Sequence, residues 1–367
     1  MIPTESKEGQ AIAQPLVHAI VPTQRGARWL GDCLRALLGQ ETAARLLLCV
    51  VDNGSSDGTA ALLAGFPSVQ HLRSEANLGY GRANNLALRR ALRAGADFAL
   101  LVNDAVVLAP GYLAALLSAA AAQPASGLFP GLLLLQGERA VDSRVGSRNA
   151  AAADARVNST GLSIDAVGRA SDRDFRLPLG ELRRADGPVA GVSGGAALVR
   201  TALLRQIGLF DPDYFAYYED VDLSLRARRA GIGCWYCSAA VGRHRFGASF
   251  GPGSAEQRYL LGRNHLRTLA LHQPLARAAL LVPATAAWRA LVKAPLELLR
   301  GRPALALAEL RASVGGALAA AAALPQRLRG GVPRGAEPEE PEGPEEPDEP
   351  DEPDEPEERT TDPRKGP

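Results

Sequence analysis

Between residues 16 and about 115 the chain repeats one pattern: a short apolar run, a turn rich in Gly, Asp or Asn, then a stretch of helical length. The apolar runs are Leu16 to Val21, Leu46 to Val51, Val69 to Leu72 and Phe98 to Val102. Helical patterns fall between them, at Trp29 to Leu38, Thr59 to Leu63 and Arg82 to Ala94. Strands joined by crossovers of this kind pair in parallel, and helices must then cover both faces of the sheet. We therefore expect an α/β fold built on a Rossmann-like, mainly parallel sheet flanked by helices. Ligands in such sheets bind beyond the carboxyl ends of the strands. That directs attention to Pro22-Thr23, to Asp52 through Gly58, and to Asn103-Asp104.

After Pro130 the pattern loosens into Gly- and Asp-rich turns, an apolar stretch Val189 to Val199, and a Tyr/acid-rich segment leading into an Arg-rich helix between Tyr214 and Ala230. Helices are expected to dominate from about Glu256 to Leu328. The chain has 367 residues, 46% hydrophobic and 22% charged, which excludes a wholly disordered or fibrous protein. Its net charge of +1 conceals an asymmetry, because residues 337–367 hold 15 acids and 3 bases, leaving 38 bases against 25 acids before them. A basic body suggests anionic company: a nucleotide, a phosphate-bearing lipid or a membrane surface. The E-P and D-E-P repeats of the tail have too little apolar surface to fold.

Four cysteines do not make a disulfide framework, and Cys234-Trp235-Tyr236-Cys237 has C-x-x-C spacing without a second pair, so packing is the expectation. The N-terminus lacks a basic region followed by an apolar run, which argues against a secretory signal and for a reducing cytoplasmic setting. No uninterrupted apolar run reaches the ~18 residues of a membrane span. The stretches Ala278 to Trp288 and Ala312 to Pro325 are bounded by arginines, among them Arg277, Arg289, Arg311 and Arg327. Such helices either pack on the main body or lie in a membrane interface with guanidinium groups at headgroup level.

Six clusters carry candidate chemistry. Asp52, where an apolar run meets Asn53-Gly54-Ser55-Ser56-Asp57, is a carboxylate at a strand end, placed to accept hydrogen bonds from a base or ribose. Asn77-Leu78-Gly79-Tyr80-Gly81-Arg82 sets glycines and an arginine ahead of a helix, which suits a phosphate. Asp104 is a single acid between two apolar runs, so it sits at a strand end or binds something, and a diphosphate-bound Mg²⁺ or Mn²⁺ would need such an oxygen ligand. Glu219, Asp220 and Asp222 crowd like charges beside aromatics, a pattern that raises at least one pKa and favours general-base work. His244 stands in an Arg-rich segment, and Arg263-Asn264 at a helix offers a phosphate contact or a solvated face.

In order, VVDNGSSDGT, NLGYGRANN, LLVNDAVVL, NSTGLSIDAVG, VSGGAALVR, GLFDPDYFAYYEDVDLSLR and H-x-x-x-x-S resemble the family 2 glycosyltransferases, particularly the bacterial rhamnosyltransferase-like branch, over residues 17 to about 270. The resemblance implies a GT-A-type fold and an inverting transfer of a sugar, rhamnose or similar, from a nucleotide-diphosphate donor to a hydroxyl of a glycan or lipid-linked acceptor. It implies cell-surface polysaccharide synthesis with peripheral contact at the inner membrane face, and no nucleic-acid partner. Residue by residue, Asp52 resembles the nucleoside-contacting acid, with Pro22, Asn77, Gly79 and Arg82 holding base and diphosphate. Ser193, Gly194 and Gly195 resemble the loop lining donor sugar and acceptor. Asp220 resembles the general base and Glu219 its partner, while Asp104 and His244 resemble metal ligands for Mg²⁺ or Mn²⁺.

One departure stands out. The family's metal site is a D-x-D or N-x-D triplet. Anchored on Asn103, the chain has Ala105 where the last Asp belongs; anchored on Asp104, it has Val102 in the first polar place. The incomplete triplet supports an alternative, a catalytically impaired nucleotide-sugar-binding homologue acting as scaffold or regulator. The expected organisation is a disordered N-terminus (1–15), a nucleotide-sugar-binding half (16–115), an acceptor-binding and catalytic half of the same domain (116–270), basic apolar helices (271–332) and a disordered acidic Pro-rich tail (333–367).

Overall fold

The computed structural model describes residues 14–136, 155–245, 251 and 253–328. Residues 1–13, the acidic tail and Ser249 of the H-x-x-x-x-S pattern lie outside the described residues.

The first half alternates as its apolar spacing demands: β1 (Leu16–Thr23), α1 (Leu30–Leu38), β2 (Arg45–Asn53), α2 (Thr59–Ala64), β3 (Gln70–Ser74), α3 (Tyr80–Arg93) and β4 (Phe98–Val102). β1, β2, β3 and β4 pair in parallel, with β1 between β2 and β4. Both faces of β1, β2 and β4 are buried, which is why they read as continuous apolar runs, whereas the edge strand β3 is largely exposed. The pleat still sorts them. Val17, Ala19 and Val21 pack with Leu30, Leu34 and Leu37 of α1, whereas Ile20 packs with Leu88 of α3 on the other face.

The second half adds β5 (Val106–Leu108), α4 (Tyr112–Ala122), β6 (Ser126–Leu135), β7 (Val157–Ser159), β8 (Leu162–Ile164), β9 (Ala170–Asp172), β10 (Gly187–Pro188), β11 (Ala196–Arg200), α5 (Thr201–Ile207), α6 (Glu219–Arg229) and β12 (Gly233–His244). The sheet runs β10-β12-β6-β11-β4-β1-β2-β3. β11 is antiparallel to both β4 and β6, and β12 returns parallel to β6. β8 and β9 form a separate hairpin. Cys234 and Cys237, three positions apart on β12, pack into the cores on opposite faces of the sheet, so their thiols share no site.

Helices close the described chain: α7 (Ala255–His272), α8 (Leu275–Trp288), α9 (Ala294–Leu299) and α10 (Pro303–Leu328). Here the structure corrects the sequence. α8 and α9 are joined by a π turn at Arg289–Lys293 into one helix of 25 residues, and α10 has 26, each with a mean hydropathy of 1.3. Both are long and apolar enough to cross a membrane by length and composition. Arg289 breaks the apolar run in sequence, yet it is not at a headgroup position. It turns inward to Glu309 (2.5 Å), whose fully buried carboxylate also faces Arg258 (3.1 Å) and Lys293 (3.7 Å).

Candidate active site

A cavity of about 360 Å³ opens where the carboxyl ends of β1, β2 and β4 meet the turn before β11 and the start of α6. Pro22, Asn77, Gly79, Asp104, Ser193, Gly194, Gly195, Glu219, Asp220 and His244 all line it. Two of the expected donor-binding residues, Asp52 and Arg82, do not. Asp52 is buried at the end of β2, accepting from the Ser55 N–H (2.9 Å) and from Arg73 (2.8 Å). Arg82 is exposed and donates to the Pro212 carbonyl (3.2 Å).

Because β1 and β4 are neighbours, their ends bring Thr23 against Asp104. The Thr23 hydroxyl donates to Asp104 Oδ2 (2.6 Å), while burial pushes the carboxyl up to about 6. Gly26 completes the turn, since a Cβ there would run into both Thr23 Oγ1 and Asp104 Oδ2. Across the cavity, His244 at the end of β12 places Nδ1 2.6 Å from Asn158 Oδ1. An amide oxygen only accepts, so Nδ1 carries the proton and Nε2 the lone pair. Burial lowers the imidazole pKa to about 4, which keeps it neutral near pH 7.

The three acids crowded in sequence are sorted by α6. Asp222 is fully buried and paired with Arg226 (2.8 Å) and His272 (2.8 Å). Burial opposes ionisation, but those partners pull the carboxyl down to about 2. It is a structural ion pair, away from the cavity. Glu219 is buried with Oε2 taking no hydrogen bond among the described residues. Burial, and then the charge of Asp220, push its carboxyl well above the usual range. Asp220 accepts the Gly194 N–H at Oδ2 (2.7 Å) and the Val221 N–H at Oδ1 (2.8 Å). Burial raises it to about 6, and the Asp172 carboxylate pushes the same way.

The loop delivering these acids is held in an uncommon backbone conformation. Phe215, Tyr217 and Tyr218 have φ of 62°, 67° and 72°. Left-handed conformations at three bulky residues are costly and need outside support. Asn264 of α7 supplies it. Its fully buried Nδ2 lies within hydrogen-bond distance of the carbonyls of Tyr214 (2.8 Å), Ala216 (2.8 Å) and Tyr217 (2.7 Å). This corrects the phosphate-contact or solvated-face expectation for Arg263-Asn264: Arg263 donates to the Asp213 carbonyl (2.8 Å), and both side chains serve the loop. The Phe215 carbonyl in turn accepts the Tyr80 N–H (2.6 Å) at the start of α3, and it lies where a Cβ on Gly79 (φ 84°) would be. The close approach that glycine permits there is made by the chain itself.

Sequence reasoning missed Asp172 altogether and gave Asn264 the wrong role. Asp172, at the end of β9, lines the cavity, and burial raises its carboxyl against hydrogen bonds from Ser159 and Ser193. Its Oδ1 takes no hydrogen bond among the described residues. In sequence it is one acid in a Ser-Asp-Arg-Asp turn, indistinguishable from a solvated one. Asn264 did leave a signal, for helical phase puts it with Leu260, Thr268 and Leu271 on the buried face of α7.

The described residues contain no group of three or more His, Cys, Asp and Glu side chains arranged around a metal position. Asp104 and His244 offer one carboxylate oxygen and one neutral imidazole nitrogen on the same cavity. That pair suits a cation taking its remaining ligands from a diphosphate.

Comparison with known proteins shows the family and the fold. The model of the family described as "Glycosyltransferase like family 2" matches residues 14–259. An N-acetylglucosaminyl-diphospho-decaprenol L-rhamnosyltransferase of Mycobacterium tuberculosis is 33% identical over 225 residues, 57% of this chain and 70% of that protein. An N-acetylglucosaminyltransferase of Mesorhizobium japonicum is 26% identical over 265 residues, 68% of this chain and 56% of that one. Among solved structures, GalNAc-T7 with UDP, GalNAc and Mn²⁺ shares the fold with a TM-score of 0.52 at 12% identity, covering 71% of this chain. The chain spans about half the length of that structure, 48%.

Proposed function

The chain belongs to glycosyltransferase-like family 2, and from that premise we propose that it transfers a deoxysugar such as rhamnose, with inversion, from a nucleotide-diphosphate donor to a hydroxyl of a lipid-linked glycan acceptor. The observation that carries this reading is the split between two adjacent carboxylates on one cavity. Burial and the neighbouring Asp220 charge push Glu219 well above the usual carboxylate range, while the Gly194 and Val221 N–H groups favour the ionised form of Asp220, which stands at about 6. Environments that drive neighbouring acids apart assign their roles. Asp220 takes the proton of the acceptor hydroxyl as that oxygen bonds to the anomeric carbon. The bond from this carbon to the diphosphate oxygen breaks on the opposite face, and the diphosphate leaves with the electron pair.

The chain prepares this displacement. Gly194 and Val221 N–H groups fix the Asp220 carboxylate, and Tyr80 holds the same turn by donating to the Gly194 carbonyl (2.8 Å). Asp172 Oδ1, the buried acceptor on the wall, receives a sugar hydroxyl. Asp104 and His244 would hold Mg²⁺ or Mn²⁺, which when bound neutralises charge on the departing diphosphate. A lipid-linked acceptor brings the cavity to the inner face of the cytoplasmic membrane.

The test is release of nucleoside diphosphate from dTDP- and UDP-sugars with a panel of lipid-linked acceptors. Wild-type turnover that falls at least 10³-fold in Asp220→Asn, with donor binding intact, is the expected result. Donor binding without turnover in wild type across the panel would overturn transfer and favour a nucleotide-sugar-binding scaffold.

A further inference from the structure

α10 is built inside out for a helix that faces water. Its inward side is lined by small residues: Ala312, Gly316 and Ala320 recur every fourth position and are buried. α7 lies so close that a Cβ on Gly316 would run into Leu266, and a Cβ on Gly262 would meet Ala312 at 2.7 Å. Its outward side repeats large apolar residues at helical spacing, with Leu307 56%, Val314 64% and Leu318 67% exposed. The helix through α8 and α9 continues this surface, with Leu291 75% and Leu299 85% exposed. Among the described residues, thirteen of the sixteen exposed large apolar side chains lie between Leu275 and Leu328. Small residues between helices with leucine outward is the arrangement of helices whose surroundings are as apolar as leucine itself. In water a patch of this extent marks a contact surface.

Charge chooses the occupant. The two acids of this region, Glu297 and Glu309, are buried, Glu297 against Arg300 and Arg302 and Glu309 against Arg258, Arg289 and Lys293, so bases outnumber acids on the face where Arg277, Arg300, Arg302 and Arg311 are exposed. A second copy would set like charges against each other. The acidic tail has the opposite charge, but residues 337–367 contain no Leu, Ile, Val, Met or aromatic residue with which to cover an apolar face. An anionic bilayer offers both hydrocarbon and negative headgroups. α10 is held against α7 from the Arg258–Glu309 pair near one end to Arg327, which donates to the Ala270 carbonyl, near the other. A helix fastened along its length to the catalytic body cannot cross the membrane, despite its sufficient length. We propose that α8, α9 and α10 lie in the interfacial layer of an anionic membrane, with the Leu/Val stripe in the acyl region and the exposed arginines at the headgroups.

The test is flotation of the full chain with vesicles of phosphatidylcholine alone or with one third phosphatidylglycerol, without acceptor lipid, so that binding is read apart from catalysis. Wild type is expected to float with anionic vesicles and to bind neutral ones on the order of tenfold less tightly. The variant Leu291→Gln, Leu299→Gln, Leu307→Gln, Leu318→Gln should lose at least tenfold in partitioning while keeping its release of nucleoside diphosphate with a short water-soluble acceptor. Trp288, 49% exposed, supplies a reading that does not depend on the variant's folding. Brominated lipid should quench wild-type fluorescence, and the quenched component should vanish in Trp288→Phe. Absent flotation, a quadruple variant that floats like wild type, Trp288 emission untouched by brominated lipid, or a wild-type dimer dissolved by the same substitutions would each overturn the assignment.

Discussion

Replacing Asp172 by asparagine tests whether the cavity carboxylates act together. The Asp220 carboxyl stands at about 6 rather than 3.8, a displacement worth roughly 3 kcal/mol. Burial is the larger cause and remains in the variant. The introduced amide keeps nearly the same volume and removes one facing negative charge, which supplies a minor share, about 0.5 to 1 pH unit. The sign follows from which form acts. Transfer needs ionised Asp220, and a neighbouring anion disfavours ionisation, so losing that anion lowers the pKa. The acid limb of kcat/KM for Asp172→Asn should therefore move to lower pH by about 0.5 to 1 unit, leaving the variant relatively more active near pH 5. Because Oδ1 is the proposed acceptor of a sugar hydroxyl, its loss as a charged acceptor should raise KM for one substrate about tenfold or more. The assay is release of nucleoside diphosphate between pH 4.5 and 9 at subsaturating acceptor. An unmoved or upward-moving acid limb would refute the coupling, and an unchanged KM for both substrates would remove Asp172 from sugar binding.

Other perturbations reach the same machinery from different sides. Asn264→Ala should cost about 2–4 kcal/mol by leaving loop carbonyls without their donor, with kcat falling more than KM; Asn264→Asp, which has no N–H to give, should not rescue it. Gly79→Ala forces a side chain onto a left-handed backbone against the Phe215 carbonyl, and should cost at least ~2 kcal/mol in thermal unfolding together with most of the activity. Asp222→Asn leaves Arg226 buried without its counter-charge, at about 3–5 kcal/mol. The depressed Asp222 carboxyl contributes stability that is complete above its unfolded value of 3.8 and lost as pH falls through about 2, so acid titration of wild type should show a stability loss in that window that the variant lacks. Asn158→Ala removes the amide that orients the His244 ring, and the Mn²⁺ concentration restoring half-activity after EDTA treatment should rise 10- to 100-fold.

What could be read from the sequence was whatever depends on local order. The strands and helices of the first half follow from apolar spacing, and each lies within a residue or two of its expected position, because both faces of β1, β2 and β4 are buried and the runs are unbroken. Pro22, Asp104 and Glu219 to Asp220 could be located because strand ends and helix starts are local features. The sorting of the three acids was not local: Asp222 differs from Asp220 only through His272 and Arg226, and one of these is fifty residues away. Asp172 reaches the cavity because the β8–β9 hairpin folds over it, which no spacing within the hairpin records.

The length of the C-terminal helices was not legible for a related reason. A charged residue in an apolar run counts as an interruption until its partner is known, and Arg289 meets Glu309 only after the chain has turned back on itself. Once paired, the two charges let α8 and α9 run on as one helix and leave leucine as the outward face. α7 then carries both consequences. On one side Gly262 and Leu266 meet the small face of α10; on the other Asn264 and Thr268 hold the loop that presents Glu219 and Asp220, Thr268 through its bond with Tyr214 (2.9 Å). One rigid helix thus fixes Asp220 relative to the apolar surface. Under the proposed transfer a lipid-linked acceptor would have to bring its reactive hydroxyl to that fixed position, so the spacing between lipid and sugar would be something the fold itself selects.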